Sequence, residues 1–66
     1  MYAKYARLRD KKGITDYKVS ADTGISRTTL SEWKAAYNKG EKYNPKLDKL
    51  EILAKYFGVD VTYFLK

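Results

Sequence analysis

The sequence predicts an all-α fold, a compact domain of five short helices, on three observations. Glycine falls at positions 13, 24, 40 and 58, each just beyond a stretch that reads as helix. Good N-cap residues, Thr15, Ser26, Asn44 and Asp60, stand where the next helix would open. Between these marks the apolar residues recur at helical spacing. At 66 residues the chain makes one domain, 1–66, with a small core. A domain of this size buries only about 60% of its unfolded surface.

The first helix is expected from about Tyr2 to Lys12. Tyr5 and Leu8 form its inward stripe, and Lys11 and Lys12 suit the negative end of its dipole. Gly13 stops it, and Ile14 turns inward. Thr15 caps a second helix over roughly Asp16 to Thr23, which presents Val19 and the small Ser20 inward. Gly24 leaves that helix where only glycine takes the left-handed conformation without strain. Ile25 plugs the turn, and Ser26 caps a third helix beginning at Arg27.

Leu30 and Trp33 share one face of this third helix. The opposite face carries Arg27, Thr28, Ser31 and Glu32, with Thr29 and Lys34 at its edges. A helix that buries a Leu/Trp stripe and offers so polar a surface suits a DNA major groove. Ala35 and Ala36 are strong helix formers, so the helix should run on to near Tyr37–Lys39 before Gly40 ends it. A loop with Lys39, Lys42 and Tyr43 follows.

Asn44 as cap and Pro45 as first helical residue are expected to open a fourth helix. Its buried stripe would be Leu47, Leu50, Leu53, Ala54 and Phe57. Ile52 and Tyr56 lie on another face, either at the edge of the core or in a subunit contact. Gly58 ends the helix, and Val59 plugs the core. Asp60 then caps a last short helix, Val61 to Leu65, with Phe64 inward.

The two helices around Thr23-Gly24-Ile25-Ser26 resemble the helix-turn-helix of the phage Cro/repressor family, the xenobiotic-response-element group. The resemblance rests on Thr15, Val19-Ser20, Gly24-Ile25-Ser26, Leu30 and Trp33. It extends through Leu8-Arg9 upstream and through Pro45, Leu50, Ala54, Gly58-Val59 and Phe64-Leu65 downstream. It implies a lambda-repressor-like fold and, residue by residue, a set of DNA contacts. Arg27, Thr28 and Glu32 would meet base edges. Arg27 can make a bidentate contact to guanine, and Thr28 can offer its hydroxyl or methyl. Glu32 can accept from cytosine, orient Arg27, or pair with Lys34 or an arginine. Thr15, Tyr17, Ser26, Thr29, Ser31, Lys34, Lys39, Lys42 and Lys46 would meet the sugar-phosphate backbone, with thymine methyls as the alternative for Thr29 and Ser31. For Lys39 and Lys42 the alternative is an inert surface loop, and for Thr15 it is capping alone. Tyr43, like Tyr17, could offer its hydroxyl to a phosphate. The last helix of the family commonly carries the dimer contact, here Val61, Tyr63 and Leu65.

Besides carrying Val19-Ser20 where Leu-Ala is usual, the chain departs from the family at three places. The family's glycine at the position of Ala36 is displaced to Gly40. Asp16 stands where a phosphate-touching glutamine is usual, and an aspartate cannot donate that hydrogen bond. It suits instead the positive end of its own helix. The family commonly pairs an arginine at the position of Arg9 with an acid late in the third helix. Here that late position is Lys34, so Arg9 is left to another acid, a phosphate or solvent.

Fourteen Lys and Arg against eight Asp and Glu give a net charge of +6, which favours a polyanionic partner. Residues 1–12 carry +4 and residues 33–47 carry +3, while residues 13–32 carry −1. The surplus flanks the third helix, as expected if phosphates position the protein and a few central side chains read bases. With no cysteine and no histidine, disulfides, the usual zinc sites and the common nucleophile–base pairs are excluded. No enzyme, metal or cofactor is called for. The absence of cysteine suits a reducing cytoplasm, where the protein is expected, and no apolar run approaches a membrane span. The seven tyrosines are scattered over several elements, which does not suit a single-strand stacking platform.

The expected function is sequence-specific binding of double-stranded DNA by a transcriptional repressor of phage or mobile-element type. It would act as a homodimer on a pseudo-palindromic operator. The alternative is an antitoxin-like protein-interaction module, with a toxin or antagonist as partner, that also binds its own promoter.

Overall fold

The computed structural model describes residues 1–41 and 45–65. Five helices follow one another: α1 (Tyr2–Lys12), α2 (Asp16–Thr23), α3 (Arg27–Asn38), α4 (Leu47–Phe57) and α5 (Thr62–Leu65). The all-α expectation holds, and the first three helices occupy the stretches expected of them, α2 and α3 opening behind their predicted caps. Gly13 closes α1 in the left-handed region at φ 68°. The Thr15 hydroxyl accepts the Lys18 N–H at 3.2 Å, and that of Ser26 accepts the Thr29 N–H at 3.1 Å. Both are side-chain N-caps of the expected kind.

The long α3 is also as expected. It continues to Asn38, and Gly40 follows at φ 72°. There the Gly40 N–H donates to the Tyr37 carbonyl at 3.1 Å and the Glu41 N–H to the Ala36 carbonyl at 2.9 Å. This paired closure is available because glycine accepts the left-handed backbone. The added turn brings Tyr37 against Tyr2, with ring centroids 5.5 Å apart.

The start of α4 departs from expectation. The helix opens at Leu47 with Lys46 as N-cap, so Pro45 precedes the helix instead of beginning it. Asn44, expected as the cap, lies outside the described residues. Leu47 is 54% exposed and does not join the buried stripe. It sits in the first turn, where helical spacing marks a face but cannot show whether another element reaches that far. The rest of the stripe behaves as expected: Leu50, Leu53 and Ala54 are buried and Phe57 packs against them. The last helix is one residue shorter than expected, with Val61 just before it. The Asp60 carboxylate accepts both the Thr62 N–H and its hydroxyl at 2.9 Å.

The core is built from one to three side chains per helix: Tyr5, Val19, Leu30, Trp33, Leu50, Leu53, Ala54 and Phe64, with Ile25 from the α2–α3 turn. Full burial of a large apolar side chain is worth about 1.5–3 kcal/mol. Trp33 and Leu30 therefore hold α3 firmly by one side. Tyr5 sits at the centre, edge-on to Trp33 at 6.3 Å and to Phe57 at 6.1 Å. Around this core α1 packs on α3 and α5, α2 on α3 and α4, and α4 on α5.

The Tyr5 ring is buried but its hydroxyl is not wasted. It donates to Asp16 at 2.6 Å. The same carboxylate oxygen accepts from the Arg9 guanidinium at 2.8 Å. Arg9 has thus found its acid at the start of α2, across the Gly13 turn, in place of the late α3 position held by Lys34. Burial pushes the Tyr5 hydroxyl pKa well up and the bond to Asp16 raises it further, so the group remains a donor. Burial also acts to raise the Asp16 pKa, but the bonds from Tyr5 and Arg9 outweigh it and hold the carboxyl below its ordinary value.

Candidate nucleic-acid interface

The buried side of α3 fixes which side is offered outward. Leu30 is fully buried and Trp33 is 2% exposed. Arg27, Thr28, Ser31, Glu32 and Lys34 are all exposed, and Thr29 is half-buried at the edge. Their common helix and the spacing of the two anchors bring the expected base-facing residues onto one surface. That surface does not pack against the protein's own interior. No ion pair among the described residues involves Arg27 or Glu32. Of the roles open to Glu32, pairing with Lys34 or an arginine is not the one the structure displays.

Arg27 has a neighbour that periodicity could not show. Its guanidinium carbon lies 5.5 Å from the ring centroid of Tyr17 on α2. Tyr17 is itself 67% exposed, so the pair stands at the surface as a cation over an aromatic face.

The expected backbone-contacting residues divide into groups. The Thr15 and Ser26 hydroxyls both serve as caps, and the Ser26 hydroxyl is also hydrogen-bonded to that of Thr29 at 2.9 Å. Ser31, Lys34 and Lys39 are exposed. Lys34 also acts electrostatically on Asp16, adding to the forces that lower its pKa. Thr29 and Lys46 are brought to one shallow cleft with Trp33, Pro45 and Lys49. Sequence reasoning passed over Lys49. The available signal was its position three residues after Lys46, on the first turn of α4. Lys42 and Tyr43 lie outside the described residues.

The expected dimer contact does not form one uniform exposed patch. Leu65 is 58% exposed. Val61 and Tyr63 are half-buried and pack against the core. Tyr56, on the α4 face left open between core edge and subunit contact, is engaged with its own chain. Its hydroxyl donates to Asp22 at 2.6 Å, and the Lys12 ammonium lies 4.7 Å from its ring centroid. Ile52 beside it remains 38% exposed. No helix among the described residues is long and apolar enough to cross a membrane.

The arrangement can present hydrogen-bond donors and acceptors along a convex helical edge, with lysines beside it. Compared with known proteins, residues 6–64 match the family described as Helix-turn-helix. No curated protein and no solved structure gives a match.

Proposed function

The chain belongs to the helix-turn-helix family, a family of DNA-binding transcription regulators, and from that premise we propose that it is a small repressor of phage or mobile-element type. Residues 1–66 act as one domain in the cytoplasm. The domain lays α3 in the major groove as a homodimer on a pseudo-palindromic operator, with half-sites about one helical turn apart. Repression is steric: the bound dimer excludes polymerase from the promoter.

The observation that carries this proposal is the exposed Arg27–Glu32 surface over the buried Leu30–Trp33 anchor. Arg27, Thr28 and Glu32 meet base edges. Thr15, Tyr17, Ser26, Thr29, Ser31, Lys34, Lys39, Lys42 and Lys46 lie along the sugar-phosphate backbone. Val61, Tyr63 and Leu65 contribute to the subunit contact, Leu65 as the exposed member.

A binding selection from random duplexes tests the proposal, run with the parent and with Arg27→Ala and Thr28→Ala. The parent should enrich a pseudo-palindrome, and each folded variant should lose preference at its own position. Affinity should also fall steeply with salt, reporting several phosphate contacts. Folded variants that select the parental motif would overturn the assignment of α3 as the reading helix.

A further inference from the structure

Tyr17 presents an aromatic face at the surface, and Arg27 lies over it at 5.5 Å. The carboxylates nearest in sequence to Tyr17 on α2 are engaged elsewhere. Asp16 accepts from Arg9 and Tyr5. Asp22 accepts from Tyr56 and Lys18. Arg27 is thus steadied by an aromatic ring and by no ion pair among the described residues.

The chemistry of that contact matters. A carboxylate partner occupies the N–H edge of a guanidinium, the same edge that a guanine O6/N7 pair requires. An aromatic partner occupies the face and leaves the edge donors unspent. A long arginine side chain also loses rotamer freedom when it docks. A ring that already narrows its range lowers that loss.

We propose that Tyr17 is a positioning residue for base readout: its ring backs the Arg27 guanidinium and directs its donor edge toward the groove. This deepens the assignment of α3 as the reading helix and rests on it. It also gives Tyr17 a different role from a hydroxyl donor to phosphate.

The test uses the duplex that the parent protein selects from a random pool, together with its single base-pair variants. Tyr17→Phe, which keeps the ring, should retain the parent's preference at the base pair lost by Arg27→Ala. Tyr17→Ala should lower that preference about two- to fivefold, over and above any weakening it shares with an unrelated duplex, while the melting temperature stays unchanged. In an Arg27→Ala background the Tyr17→Ala change should have no further effect on preference. If Tyr17→Phe weakens binding equally on every duplex, the hydroxyl is the working group and the proposal fails. If neither Tyr17 variant alters preference while Arg27→Ala does, the ring has no positioning role and α3 readout stands. If folded Arg27→Ala selects the parental motif, the reading-helix assignment itself falls, and the Tyr17 role with it.

Discussion

Two arginines in this small domain are held in opposite ways. Arg9 lies inside a cage at the α1–α2 junction. Its guanidinium reaches Asp16 at 2.8 Å, Asp10 at 3.0 Å and the Tyr2 hydroxyl at 3.5 Å, and lies 5.7 Å from the Tyr5 ring centroid. Its side chain is only 20% exposed. Arg27 opens α3 in the exposed class and has the Tyr17 ring beneath it. The first arginine has spent its donors inside the protein and joins two helices. The second keeps its donors for a partner. Charge and residue type are the same, so the difference lies in whether the fold uses the N–H edge of the guanidinium or only its face.

The largest expected effect is on the caged side. Arg9→Ala would leave a part-buried carboxylate with only the Tyr5 hydroxyl, at a cost of roughly 1–3 kcal/mol. That is a large share of the stability of so small a domain. Urea unfolding should show it, and the base preference of the remaining folded protein should be unchanged. If stability held and preference fell, the two arginines would have been assigned the wrong way round. On the exposed side, Arg27→Lys keeps the charge but loses the planar fork. Discrimination at its base pair should fall by about 1–3 kcal/mol, with the salt dependence of binding little altered. Equal weakening on every sequence would place Arg27 on phosphate.

Acid titration sharpens the comparison further. The folded Asp16 carboxyl ionises more readily than an unfolded one because Tyr5 and Arg9 donate to it, in excess of the opposing effect of burial. Its contribution is therefore complete above the ordinary Asp value of about 3.9, and is lost as pH falls through the lower folded value. The stability gap between the parent and Asp16→Asn should be constant near neutrality and close in acid. A gap that widened in acid would contradict the cage. The smallest effect belongs to Tyr37, whose ring backs Tyr2 at the outer wall of the cage. Tyr37→Ala should cost about 0.5–1 kcal/mol, read as a small fall in melting temperature.

These contrasts also show what could be read from the chain alone. Local signals marked most helix ends: Gly13 and Gly24 as stops, Thr15 and Ser26 as caps, and Gly40 as the delayed end of α3. Spacing of Leu30 and Trp33 was enough to turn Arg27, Thr28, Ser31 and Glu32 outward. Asn44-Pro45 carried an equally good local signal, yet the helix opens at Leu47 behind an extended Lys46, because a local signal for a start does not fix which nearby residue the helix takes as its first. The Arg9–Asp16 and Tyr17–Arg27 pairs were not legible. Each joins two helices across a turn, and periodicity within one helix does not reveal how the next is rotated against it.

Trp33 is the chain's one tryptophan, sealed behind α3 with its ring edge-on to Tyr5. The molecule therefore carries a built-in optical gauge of whether α3 is seated. Its emission should keep the blue colour of an indole shielded from water while a duplex occupies the far side of the helix. It should redden only when the helix lifts from the body, so detachment can be followed in one cuvette without a dye.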